Sequence, residues 1–353
     1  MKKHTMISLL LALSLCGCEA ITLPTPQIRE QTEVQELTLA IPKGSTELFC
    51  EIARELSRRA VDFADNSLSI EIVEVEDIWE VLYEGSADLV VCENNRMTAD
   101  AEDAGDLTYP QTFVKEDLSD EELLALEDSR LQGAAALFAT LDYPFFFRDG
   151  ECVITGGSNA DVLAALNYSL PDDFVMELER LTFSGVYHWV TNDYELFEEY
   201  ELEYGPEVLI AQLLDQGEPL SDPWNYVGDS DFSVREVDLT NTKADFSEKT
   251  LILSGGRLKI VDIFSNPESM EQLTAKQKAA IQEAIVYSGG YGKTLADDQQ
   301  ATILRQLEGE QIPMGYIDVD AWYHVFQNIY SSGKSEVNEE FADLIWDKTE
   351  RFH

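Results

Sequence analysis

Hydrophobic and polar residues follow two alternating rhythms in the first part of the chain's body. "ELTLAI" (Glu36 to Ile41) reads as a short strand. Pro42-Lys43-Gly44 is a turn, and Ser45 is placed to cap a helix. Leu48, Phe49, Ile52, Ala53, Leu56, Ala60 and Phe63 then fall on one stripe at helical spacing. "SLSIEIVEV" (Ser67 to Val75) alternates with period two, as a half-buried strand does. "DIWEVLYEG" (Asp77 to Gly85) predicts one short helix closed by a glycine. "ADLVVC" (Ala87 to Cys92) is nearly continuous apolar sequence, as expected of a strand covered on both faces. The β-α-β-α-β order over residues 36–92 predicts a parallel sheet with helices on both sides.

The rhythm is weaker beyond that point. Residues 93–130 are acidic and irregular, with one helix capped by Ser119 and Glu122. "YPFFFRDGE" (Tyr143 to Glu151) puts three phenylalanines before an ion pair and a glycine, and reads as a buried strand ending at the surface or a crevice rim. Residues 157–182 read as helical with a break at Pro171, and "FSGVYHWVTN" (Phe183 to Asn192) as a strand. "GPEVLIAQLLDQG" (Gly205 to Gly217) is a helix with Pro206 in its first turn. "KTLILSGGRLKIVDIF" (Lys249 to Phe264) reads as two strands around a Gly-Gly turn. The C-terminal third is mainly helical. Thr274 and Gln277 form a capping box, Gly289-Gly290-Tyr291-Gly292 reads as a helix end, and a second long helix covers about 293–309. "IPMGYIDV" is a short strand before a last pair of helices.

The N-terminus changes the picture of where this body resides. Lys2 and Lys3 precede the short apolar stretch "MISLLLALSL", too short to span a bilayer as a mature helix. Leu15-Cys16-Gly17-Cys18 resembles the bacterial lipobox, which implies cleavage before Cys18 and acylation of that cysteine. Glu19 follows it, which resembles outer-membrane sorting in Gram-negative lipoproteins; the sequence leaves outer and inner membrane open. Residues 1–17 are then a signal peptide and 18–35 a polar tether with prolines at 24 and 26. Export implies an oxidising compartment, where Cys50, Cys92 and Cys152 allow at most one internal disulfide or remain buried thiols.

Charge and motifs exclude several functions. There are 24 Lys+Arg against 68 Asp+Glu among 353 residues, for a formal net charge of -44, which rules out a nucleic-acid partner. The acids are spread along the chain, as on a solvated surface adapted to high salt. "GDSDFSVRE" (Gly228 to Glu236) comes nearest to a calcium loop but lacks the turn glycine. No HExxH, CxxC, GxSxG, Walker or GxGxxG frame is present, so neither a metal nor a cofactor is called for. Acids are too abundant for any pair to single out glycosidase chemistry. A binding protein of the α/β class, with a ligand in a crevice beyond the strand ends, fits what is left.

"YPFFFRDGE" resembles the "PFLFRD" segment of the solute-binding proteins of TRAP transporters, the DctP family. "LTLAIPKGSTELFCEIARELSRRA" is similar to that family's first strand and helix, and "IEIVEVEDIWEVLYEGSADLVV" to its second strand, short helix and next strand. "SGVYHWVTN" resembles its "G-x-R-x-x-T-N" strand, and "MEQLTAKQKAAIQEA" its "x-x-L-s-x-x-x-Q-x-A-I-x-x-A" helix. The resemblance covers most of residues 36–350. It implies a two-lobe, periplasmic-binding-protein-like α/β fold with mixed sheets, crossing strands, an interlobe cleft and a long connecting helix. Lobe I would be 36–150 with part of about 245–290, lobe II 151–244 with part of about 291–325, and 326–353 the C-terminal helices.

The implied function is periplasmic capture of a small organic acid, without chemistry, for the membrane permease subunits of a TRAP transporter. The alternative is a sensor or envelope interaction lipoprotein on the same scaffold. Binding a carboxylate in a dry cleft favours a guanidinium, which makes two parallel charge-assisted bonds. The family arginine of "G-L-K-I-R-V" has no counterpart here, because the matching "EEYELEYGPEV" holds no arginine, and the strand arginine before "T-N" is replaced by His188. Candidate replacements at the ligand are Arg96 after the strand ending at Cys92, Arg148, Arg235, Trp224 for stacking, and Asn192 and Asn241 for amide bonds. His188 would be either a pH-sensitive anion partner or a satisfied buried histidine. Trp189 would stack on a ligand or pack in the core.

Overall fold

The computed structural model describes residues 34–94, 137–138, 140–170, 174–195, 197–198, 234–239, 249–331 and 339–349. The expected helices at Ser119 and at 205–217, the segment 228–233 and the whole N-terminal segment lie outside them. The first five elements follow the hydrophobic rhythm closely. β1 (Gln35–Pro42) pairs in parallel with β2 (Leu68–Val75) and with β3 (Leu89–Glu93). α1 (Glu47–Phe63) starts at Thr46, whose side chain accepts the Phe49 N–H; Ser45 instead closes the turn by donating to the Pro42 carbonyl at 2.6 Å. α2 (Ile78–Glu84) is capped by Asp77 and ends at Gly85 with φ 64°, a left-handed value that glycine adopts at no steric cost.

The sheet continues into longer strands. β4 (Glu177–Thr191), β5 (Val234–Asp238), β6 (Thr250–Ser265) and β7 (Met314–Tyr316) complete the order β2-β1-β3-β6-β4-β5, with β7 on β6. β6 is antiparallel to β4 along both strands' lengths. Its C-terminal half also pairs with β3 (Leu89 with Ser265 to Glu93 with Val261), and its N-terminal end with β7 (Leu251 with Met314). The Gly255-Gly256 step is therefore a bulge inside one 16-residue strand, not the expected hairpin turn. Between Tyr187–Arg257 and Trp189–Ile252 the register slips, and Gly255 takes φ 57° there. Long-range pairing with β4 outweighs the local turn signal. Likewise, residues 177–182 belong to β4, and the helix predicted over 157–182 is confined to α4 (Ala160–Ser169). Before it, α3 (Gly150–Cys152) runs into a π-helical turn, Val153–Gly157.

The predicted helix break at Gly289 to Gly292 does not occur. After α5 (Pro267–Gln272), α6 runs unbroken as 35 residues, Ala275–Gly309. The glycines serve close packing instead. A Cβ at Gly292 would lie 2.9 Å from Ile52 Cδ1 and 3.2 Å from the Phe183 carbonyl, so the bare backbone lets α6 press against α1 and β4. Thr182 Oγ1 donates to the Gly289 carbonyl at 3.0 Å across the same contact. One core layer fills this side, with Phe49, Leu56, Val261, Ile263, Ile281 and Ile285 among its buried residues.

The phenylalanine run is buried as expected but is not a strand. Phe145, Phe146 and Phe147 are 1%, 1% and 3% exposed. A strand turns successive side chains to opposite faces, so three consecutive buried rings need a bent backbone. Phe145 supplies the bend with φ 52°, and its N–H donates to the Gly256 carbonyl at 2.5 Å. Its ring stacks on Trp322 and Phe326 of α7 (Val319–Tyr330). Phe146 packs on Trp346 of α8 (Glu339–Thr349), and Phe147 lies against Gly157. The carbonyls exposed by the bend are bonded by side chains: Tyr330 OH donates to Pro144 O at 2.5 Å, and Trp346 Nε1 to Phe146 O at 3.1 Å. Asp149 caps α3 by accepting the Cys152 N–H. Among the described residues Cys50, Cys92 and Cys152 form no disulfide, and Cys92 and Cys152 are buried. Among the described residues no helix is long and apolar enough to cross a membrane.

Candidate functional site

The β6 stretch "GGRLKI" places Arg257 and Lys259 two residues apart, hence on one face of the strand. Register sets Arg257 opposite Tyr187 of β4. Its guanidinium carbon lies 4.3 Å from the Tyr187 ring centroid, and the Lys259 ammonium 5.9 Å from the same ring. Lys259 Nζ is 2.8 Å from Asp238 Oδ2 at the end of β5 and 3.9 Å from Glu93 Oε1 at the end of β3, with its side chain only 6% exposed. A desolvated ammonium is tolerated there because two carboxylates compensate it. Glu93, Asp142, Tyr187, Arg257, Leu258, Lys259 and Ile260 line a small open crevice.

The crevice lies at the carboxyl end of β3, where the sheet changes from the parallel β1–β3 pairing to the antiparallel β3–β6 pairing. Strand order switches at such a place, and crevices beyond the strand ends are where open α/β sheets take up ligands. Two cations there face the carboxylates of Glu93, Asp142 and Asp238. An anionic group could bridge Arg257 and the rim of Lys259, while hydroxyl or ammonium donors would meet Glu93 and Asp142.

Of the residues singled out from sequence, Arg148, His188, Trp189 and Asn192 are not among those lining this crevice. Arg148 pairs with Asp320 of α7 at 2.9 Å, with 37% of its side chain exposed. His188 is buried in the β6 bulge. Its Nδ1 accepts the Gly255 N–H at 3.0 Å, and its Nε2 is 3.1 Å from the Gln300 amide of α6. The ring thus fills the gap opened in the β4–β6 ladder, and burial lowers its pKa from 6.5 to about 4, so it is neutral at pH 7. Of the two readings, this geometry matches the satisfied buried histidine. Trp189, on the same strand, is fully buried against Phe145, Phe197 and Trp322, a core residue. Asn192 is exposed just past β4, and Arg235 stands opposite Val190 in β5. Arg96, Trp224, Asn241 and the acylation site Cys18 lie outside the described residues.

Arg257 and Lys259 were legible as the two basic residues of β6, in a strongly acidic chain. What the local pattern did not show was their partners, which lie on β3, β4 and β5. Among the described residues, no group of three or more His, Cys, Asp or Glu is arranged to hold a metal ion.

No protein-family model matches the chain, and no curated protein matches it in sequence. Solved structures match it in fold over nearly its whole length. An apo, open TRAP periplasmic solute-binding protein from Rhodobacter sphaeroides superposes with a TM-score of 0.61 at 10% identity, covering 90% of this chain and 99% of that one. The sugar-acid-binding protein DctPAm of Advenella mimigardefordensis, in complex with galactonate, gives 0.55 at 11% identity, covering 91% and 99%. A TRAP periplasmic solute-binding protein from Desulfovibrio desulfuricans with bound sn-glycerol-3-phosphate gives 0.52 at 12% identity, covering 90% and 100%.

Proposed function

We propose that this chain, which has the fold of the TRAP periplasmic solute-binding proteins, is a divergent solute-binding protein of that type. It captures a small organic acid in the crevice beyond β3 and delivers it unchanged to membrane permease subunits. The observation that carries the reading is the pair Arg257 and Lys259 lining that crevice, basic side chains in a chain of net charge -44. An anion approaching so acidic a body needs a local cation to be held, and these two are positioned by paired strands rather than by a loop. The bound solutes of two structural neighbours, galactonate and sn-glycerol-3-phosphate, each combine one anionic group with hydroxyls. That combination suits a crevice with both cations and carboxylates. Acylation at Cys18 would hold the protein at the membrane face, with 19–35 as the tether and hinged lobes on the boundaries given above.

The test is calorimetric titration of the mature chain with galactonate, glucuronate, sn-glycerol-3-phosphate and simple dicarboxylates. A saturable heat with at least one of the hydroxylated acids is expected. Arg257→Ala should weaken it by about tenfold to a hundredfold, the range for losing one charge-assisted contact. Absence of binding by every acid, or an Arg257→Ala variant that binds as tightly as wild type, would overturn the assignment.

A further inference from the structure

We propose that Arg180 binds a small oxyanion at the joint between β4 and α6, a site separate from the crevice. Arg180 stands opposite Ile263 of β6, just past a register shift at Leu178. Its Nε is buried and makes no hydrogen bond. Gly289 of α6 makes room for it: a Cβ there would lie 2.8 Å from Arg180 Nε and 3.3 Å from Thr182 Oγ1. Thr182, two residues further along β4, donates its hydroxyl to the Gly289 carbonyl at 3.0 Å. The guanidinium is thus held with Nε toward the helix backbone, on a paired strand and not on a loop. Its two terminal amines are not enclosed in this way. Tyr187, which lines the crevice, is seven positions further along β4, about 20 Å away at the rise of a strand.

A guanidinium cannot be deprotonated in a protein, so unlike a buried lysine or carboxylate it cannot escape burial by losing its charge. Among the described residues no carboxylate pairs with Arg180, and burial lowers its pKa with no acid opposing the shift. Arg54, Arg58, Arg59 and Arg148 each pair with a carboxylate. Glu179, adjacent in sequence, accepts from the Ser265 hydroxyl instead. Acids outnumber bases 68 to 24 in this chain, yet a half-buried cation is left without one. The missing charge then comes from outside the chain. Water would hydrate the terminal amines but leave the charge uncompensated. An oxyanion does both. The planar fork presents parallel N–H donors to two oxygens of a carboxylate, sulfate or phosphate, and the bonds are charge-assisted. Chloride supplies the charge but only one acceptor centre. The acidic surface repels every anion, so the site fills best where salt screens that surface.

The mature chain would be melted in sodium chloride, formate, sulfate and phosphate at one ionic strength, so that screening is equal in every arm. At least one oxyanion should raise Tm by about 4 °C beyond chloride at a concentration about 100 times Kd. Arg180→Met should lose that rise and keep only the general effect of each salt on burial. Arg257→Ala, which removes a cation from the crevice, should retain it. If Arg180→Met does not fold, Gly289→Ala, which keeps the charge but displaces the guanidinium, should reduce the same rise. A response to formate supports the site as one for carboxylates, and a response to sulfate or phosphate alone supports it as one for tetrahedral oxyanions. The proposal is overturned if no oxyanion exceeds chloride, or if the folded Arg180 and Gly289 variants gain as much as wild type, which would be a general salt effect only. Loss of the rise in Arg257→Ala would overturn it too, in favour of the crevice.

Discussion

Lowering the pH should cost this protein stability through His188 in a way one substitution can isolate. In the folded chain Nδ1 faces the Gly255 N–H, so a second proton would set donor against donor and place a charge in a site only 4% exposed. The folded-state pKa falls from 6.5 to about 4 because of that burial. The unfolded chain takes up the proton first. Stability due to neutral His188 is therefore complete above pH 6.5, is lost as pH falls toward 4, and declines no further below that. One pH unit of separation corresponds to about 1.4 kcal/mol, so the full loss is roughly 3 kcal/mol, about two-thirds of it reached by pH 5. Urea unfolding of wild type and His188→Asn would be compared at pH 7.5, 6 and 5. Asparagine keeps an acceptor for the Gly255 N–H without titrating, and the pH dependence of the many carboxylates cancels in the difference. Wild type should lose about 2 kcal/mol relative to the variant between pH 7.5 and 5. Parallel stability curves would refute the reasoning.

Two further predictions concern packing and charge. Gly292→Val should destabilise by about 1–3 kcal/mol, because its Cβ meets Ile52 and the Phe183 carbonyl, whereas Gly290→Ala, with nothing within 4 Å, should be neutral or stabilise by about 0.5–1 kcal/mol; equal thermal shifts for the two would contradict the close approach of α6 to β4. Lys259→Met leaves Asp238 and Glu93 facing each other without their cation, and should cost about 3 kcal/mol in chemical denaturation; a loss below about 0.5 kcal/mol would show that the pair is not coupled.

The sequence by itself determined those elements whose signals are local. The stripe from Leu48 to Ala60, the short helix closed by Gly85, and the Thr274–Gln277 capping box each depend on neighbours within about one helical turn, and each lies where the pattern predicts. The apolar run at Leu89 likewise declared a strand covered on both faces. Tertiary structure decided the points where a long-range contact outweighed a local preference. Gly289 to Gly292 read as a helix end, but the missing side chains are what let α6 continue against Ile52 and Phe183. Gly255-Gly256 read as a turn, but pairing with β4 on both sides turned it into a bulge filled by His188. The crevice likewise depended on long-range pairing. Pairing of β6 with β4 and β3 brings Arg257 beside Tyr187 and Lys259 between Asp238 and Glu93, and those partners lie 21 to 166 positions away in sequence, beyond the reach of any local pattern.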